Sequence, residues 1–167
     1  MKPKQRNAAL SALAIYAVIA GQPAAADNHN GKQTIYRADK QKAFTGPSEI
    51  FTGKVHVTLL FPSNETAHYS GAYVTFEPGA RSAWHLHPAG QHIVVTEGVG
   101  RTGTAGGHVE EIKAGNALWC PPGVKHWHGA APDRAMTHLV VTGTIDGKNV
   151  EWQEKVSDAQ YNGNGGG

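Results

Sequence analysis

The sequence predicts an all-β fold, a single-domain sandwich or barrel, on three observations. Short runs of β-type residues are separated almost evenly by Gly and Pro along the chain. In two of these runs, Ala72, Val74 and Phe76, and then Met136, His138, Val140 and Thr142, share one parity, the period of two of a strand. No long segment carries the 3.6-residue apolar period of an amphipathic helix.

The first residues stand apart from that pattern. Lys2, Lys4 and Arg6 give a basic start, an apolar run follows from Ala8 to Ala20, and Ala24, Ala25 and Ala26 form a small-residue cleavage site. Residues 1–26 therefore read as a secretory signal peptide, which predicts a periplasmic or secreted protein. The apolar run is shorter than the roughly 20 residues of a membrane-spanning helix, so no membrane association is expected once it is removed. Cleavage after Ala26 takes three of fifteen basic residues and none of thirteen acidic ones, leaving a formal charge of −1. With no Lys/Arg cluster beyond the leader, a nucleic-acid partner has no electrostatic footprint.

The remaining length, roughly 140 residues, suits one domain with its own core. Residues 27–48 are expected as an N-terminal arm and residues 49–156 as the barrel. In order, the strand-like runs are KVHVTLLF (54–61), SGAYVTFEPG (70–79), RSAWHLHP (81–88), QHIVVTEG (91–98), HVEEIKAG (108–115), NALWCPPG (116–123), KHWHGAAP (125–132) and AMTHLVVTGT (135–144). A short helix at Ser157–Tyr161, with Ser157 as N-cap, opens the final segment 157–167, whose Gly-rich tail is expected to be flexible. Cys120 is the only cysteine, so no intramolecular disulfide can form, and its place in NALWC suits a small buried hydrophobe.

Chemistry concentrates in two segments. In an extended strand His85 and His87 point the same way about 6.6 Å apart, close enough to grip one ion. The Pro88-Ala89-Gly90 turn can fold the chain back and bring Gln91 to the same centre, while His126 arrives from a distant strand. Imidazole nitrogens and an amide oxygen suit one Mn, Fe, Co, Ni or Zn ion per chain. These four ligands are neutral and leave the ion near its full double charge, suited to a Lewis acid that attracts anions. His128, two residues beyond His126 on the same strand face, should look into the cavity. His138 shares a largely apolar face with Met136, Val140 and Thr142. Both are expected as catalytic residues, because histidine moves protons near neutral pH. Ala72, Val74 and Phe76 share a parity and are expected as the apolar cavity wall. Trp84 should pack outward, His92 should face away from Gln91, and Arg81 should lie at a rim or turn.

The full pattern is Gly79, five residues, His85-x-His87, three residues, Gln91, six residues, Gly98, then Gly115, five residues, Pro121-x-Gly123, two residues, His126. It resembles the paired motifs of the cupin superfamily, with two departures: Gln91 where the first motif usually has Glu, and Ala130 where the second usually ends in Asn. The resemblance implies a double-stranded β-helix, or jelly-roll barrel, with the metal inside its mouth. The segments TFEPGARSAWHLHPAGQ and PPGVKHWHGAAPDRAMTHL resemble the small manganese-dependent bacterial cupins that include cupin-type hydroxynitrile lyases. That likeness implies manganese, the ligand set named above, and cleavage of a cyanohydrin to an aldehyde and cyanide. Paired barrels in that family imply a homo-dimer or homo-tetramer.

Three functions suit such a site. The first is a metal-dependent lyase acting on a small hydroxylated substrate. A dioxygenase would use the same histidine-rich centre to bind oxygen, and a non-catalytic periplasmic sensor or small-ligand-binding barrel would use the cavity alone.

Overall fold

The computed structural model describes residues 31–164. The leader expected at 1–26 and the last residues of the Gly-rich tail lie outside them. Among these residues twelve strands follow a 3-10 turn at Ala38–Lys40. They are β1 (Ala43–Thr45), β2 (Phe51–Thr52), β3 (Val55–Phe61), β4 (Tyr69–Phe76), β5 (Arg81–Ser82) and β6 (His85–Leu86). Then come β7 (Gln91–Thr104), β8 (Val109–Lys113), β9 (Ala117–Cys120), β10 (His126–Ala130), β11 (Met136–Gly143) and β12 (Glu151–Trp152). A helix, α1 (Asp158–Tyr161), closes the described chain.

All pairings are antiparallel and run in the order β1-β3-β4-β11-β7-β10-β5-β2, with β8 and β9 added on β7, and β6 joining β10 to β12. The expected all-β barrel architecture is present. Its curl depends on β7, which belongs to two layers. Gln91–Gly98 pairs with β11, and Gly100–Thr104 pairs with β10. At the crossing Gly98 has φ 77°, and a Cβ there would lie 2.0 Å from the Ala135 carbonyl oxygen, so only glycine fits. The register with β11 also slips between Thr137 and His138, a bulge that bends the sheet at the same place. The run expected to stop at Gly98 therefore continues to Thr104. Glycine here turns the strand instead of ending it.

The run expected over 81–88 is divided. Ala83 donates to the Ile50 carbonyl at 2.7 Å, and Trp84 exchanges bonds with Glu154 at 2.9 Å and Gln153 at 2.8 Å. These backbone groups are satisfied by two other segments, so the β10 ladder is interrupted between Ser82 and His85.

Between the layers Val55, Phe76, Ile93, Val95 and Met136 are fully buried. Each contributes roughly 1.5–3 kcal/mol by removal from water, and Phe76→Ala would cost roughly 3–5 kcal/mol. On β11 the expected alternation is present: Met136, His138, Val140 and Thr142 face inward, and the intervening residues are half-buried. A second cluster unites Trp84, Trp127, Val156 and Tyr161 on the outer side of the barrel, where Trp84 was expected. Ser157 is the N-cap of α1, as expected, and forms a reciprocal capping box with Gln160.

Arg81 is a correction. It is buried, not at a rim, and its Nε and Nη2 both donate to the Val156 carbonyl at 3.1 Å, with Nη2 also 2.6 Å from Asp158. A planar guanidinium can make these bonds together and still lie 4.7 Å from the Tyr161 ring centre. Tyr161 in turn donates to the Ala130 carbonyl at 2.7 Å, tying α1 to β10.

Candidate functional site

β6 and β10 are neighbours, and His126 is in register opposite His85. That pairing brings the two sequence motifs together. The ring centres of His85 and His126 are 4.3 Å apart, those of His85 and His87 5.0 Å, and those of His87 and His126 5.4 Å. Gln91 opens β7 just past the turn at Gly90, whose φ of 78° reverses the chain. All four side chains are buried.

Hydrogen bonds aim these groups. Nδ1 of His85 bonds the Ala83 carbonyl at 2.9 Å, Nδ1 of His126 bonds the Val124 carbonyl at 2.9 Å, and Nδ1 of His87 bonds the Asn149 carbonyl. A carbonyl only accepts, so each Nδ1 carries the proton and each Nε2 keeps a free lone pair. Gln91 donates from Nε2 to Thr142 Oγ1 at 2.9 Å, which leaves its Oε1 as an acceptor. Nε2 of His87, Nε2 of His126 and Oε1 of Gln91 are all buried without a hydrogen-bond partner. Unpartnered buried acceptors are costly unless something electropositive meets them.

The imidazoles are also held neutral. Burial pushes His85 well below the usual 6.5, with His126 and His87 adding to the effect, and burial lowers His87 to about 4 and His126 in the same direction. Neutral rings with lone pairs are the form that binds a cation.

His128 and His138 form a second pair. Their facing nitrogens, Nδ1 of His128 and Nε2 of His138, are 3.1 Å apart. Burial takes His128 well below 6.5, with His138 as the next cause, and lowers His138 to about 4. The potential ligand nitrogens of His85, His126 and His128 lie within 4.8 Å of one another, a trio that includes His128 and not His87, so His128 is placed to share an ion with His85 and His126.

The site opens into a cavity of about 470 Å³. His85, His87, Gln91 and His128 line it, along with Ala72 and Val74. Phe76 does not, which corrects the expectation that it shares the wall, and His138 does not line the cavity either. Phe76 packs its ring 5.7 Å from His128 and 5.5 Å from His138, and His138 reaches the cavity only through His128. His92 faces outward, its ring 4.5 Å from that of Trp119 and tilted to it by 32°. Cys120 is buried, and its thiol is pushed up to about 11 by burial, the inert behaviour expected of it. Three contributors carried no motif. Asn149 fixes His87, Thr142 fixes Gln91, and Trp152 lies 4.8 Å from His85 across the β6–β12 pair.

Residues 72–142 match the cupin domain family model. The chain is 52% identical over 127 residues to an (R)-mandelonitrile lyase of Granulicella tundricola, covering 76% of this chain and 97% of that protein. A cupin-like protein from Thermotoga maritima shares 38% identity with a TM-score of 0.66, over 71% of this chain and 90% of that one. A polyketide cyclase from Streptomyces resistomycificus, at 18% identity and a TM-score of 0.59 over 78% of this chain and 92% of its own, shares the fold.

Proposed function

The chain belongs to the cupin family, and from that premise we propose that it is a metal-dependent hydroxynitrile lyase, cleaving a small cyanohydrin to an aldehyde and cyanide. The observation that carries the metal part is the convergence of buried acceptors with no partner, each aimed by a hydrogen bond on its far side. The likeness to an (R)-mandelonitrile lyase over nearly all of that protein's length supports the reaction.

His85, His87, Gln91 and His126 would hold one first-row divalent ion, with manganese the choice that the sequence resemblance favours. The ion supplies a Lewis acid that lowers the energy of negative charge on the substrate's oxygen. The remaining steps belong to the chain. His128 is neutral and lines the cavity, and in the tautomer whose Nδ1–H donates to Nε2 of His138 its own Nε2 would be free to take the substrate's hydroxyl proton. As the carbon–carbon bond breaks, the electron pair leaves with cyanide, and His128 can return the proton to it. His138 keeps the imidazole of His128 oriented and shares its proton. The apolar wall at Ala72 and Val74 keeps water from the departing group.

Release of cyanide from mandelonitrile by metal-loaded protein, corrected for spontaneous decomposition, tests the proposal. Oxygen uptake in place of cyanide release would favour the dioxygenase reading, and ligand binding without turnover the sensor reading.

A further inference from the structure

The cavity carries opposite kinds of chemistry at its two ends. Its buried end holds the histidines, and its open end is built by the segment ahead of β1, where Arg37, Lys40 and Lys42 line it and are exposed. No aspartate or glutamate lines the cavity among the described residues. Between the ends the wall is mainly apolar, including Leu59, Val140 and Trp152.

The backbone fixes where the cations sit. Lys40 donates to the Arg37 carbonyl at 2.9 Å to close the 3-10 turn, and Leu59 of β3 donates to the Lys42 carbonyl at 2.9 Å. The Tyr36 ring lies 6.5 Å from Phe61, which spreads over β4 because Gly71 leaves room: a Cβ at that position would sit 2.4 Å from the ring. Asp39 pairs with Lys40 at 3.4 Å, so its charge is partly answered. Arg37 and Lys42 have no ion-pair partner among the described residues. A cavity of about 470 Å³ is of the size that takes drug-sized ligands, with room beyond a single ring and its cyanohydrin group.

Resting on the lyase reading above, we propose that the open end is an anion subsite, and that the substrate is a cyanohydrin whose far end bears a carboxylate met by Arg37 and Lys42. The Arg37 guanidinium matches a carboxylate with two parallel donors, and the Lys42 ammonium adds a point charge. With no carboxylate lining the cavity among the described residues, the field there favours an anion over its neutral analogue.

Calorimetric titration of the metal-loaded protein with 4-(hydroxymethyl)benzoate and with benzyl alcohol tests the subsite. The carboxylate should bind about tenfold more tightly at low salt, the scale of two partly exposed charge contacts. The preference should fall below about threefold in Arg37→Ala/Lys42→Ala, checked for an unchanged melting temperature. Equal affinity in the parent overturns the proposal, as does failure of the carboxylate to bind. So does a preference that persists in the double variant, since the carboxylate would then be meeting the metal centre instead. Cyanide release from mandelonitrile and its 4-carboxy derivative separates the two readings. A preserved preference with no cyanide from either compound removes the lyase and leaves the subsite. Cyanide from both with no binding preference removes the subsite alone.

Discussion

Nε2 of His138 lies 3.1 Å from Nδ1 of His128, with both rings buried. A proton taken up at Nε2 of His128 would leave its Nδ1–H as a stronger donor toward His138, so the pair can carry one positive charge between two rings. His128→Ala should therefore lower turnover roughly 10²-fold or more, with metal content near normal. His138→Ala should lower it less and shift the pH dependence of kcat, because the base remains but loses its partner. Cyanide release over a pH series, beside elemental analysis of each variant, reads both effects. Unchanged activity in both variants would remove histidine base catalysis from the account.

His85→Ala and His126→Ala should each greatly reduce bound metal, since each removes a nitrogen aimed into the site by a backbone carbonyl. Gln91→Glu should retain metal, as a carboxylate oxygen replaces an amide oxygen. His128 is near enough to be a ligand itself, and loss of metal in His128→Ala would move it into the ligand set.

Acid should destabilise the metal-free protein. His87 and His138 titrate in the folded chain at about 4, against 6.5 when unperturbed. Above about pH 6.5 both states are neutral and the groups contribute nothing. Between 6.5 and 4 only the unfolded chain takes up these protons, so stability falls by about 1.4 kcal/mol per pH unit for each histidine, levelling off below 4. Urea midpoints in chelator at pH 7, 6 and 5 should decline in that order. A constant midpoint would contradict the burial of neutral rings.

Arg81→Ala should cost roughly 2–4 kcal/mol, because the Val156 carbonyl loses both bonds from a buried guanidinium. Asp158→Ala should cost under about 1 kcal/mol, since that carboxylate is largely exposed. Similar losses in the two variants would show that the ion pair, not the carbonyl contact, holds the C-terminal segment.

The parts of this molecule that could be read from the chain are those encoded locally or by fixed spacing. The Gly and Pro punctuation announces the strands, the period of two announces the inward face of β11, and two short motifs identify the residues that β6, β7 and β10 bring together. What stayed hidden depends on chain crossings. Arg81 looks like a turn residue until Val156 passes over it, and nothing near Asn149 or Trp152 signals that β12 will lie beside His85. Gly98 reads locally as a strand end, yet the Ala135 carbonyl beside it makes it the corner of a longer strand. His138 shares its face with cavity residues in the sequence, but Phe76 and His128 close around it.

The most direct test is a metal titration followed by its product. Protein freed of metal by chelation is reloaded stepwise with manganese, and cyanide release from (R)-mandelonitrile is measured at each step. The account predicts negligible release at zero metal, a linear rise, and a plateau at one ion per chain. Cyanide release that does not depend on the ion, or one bound ion per chain with no release, would contradict it.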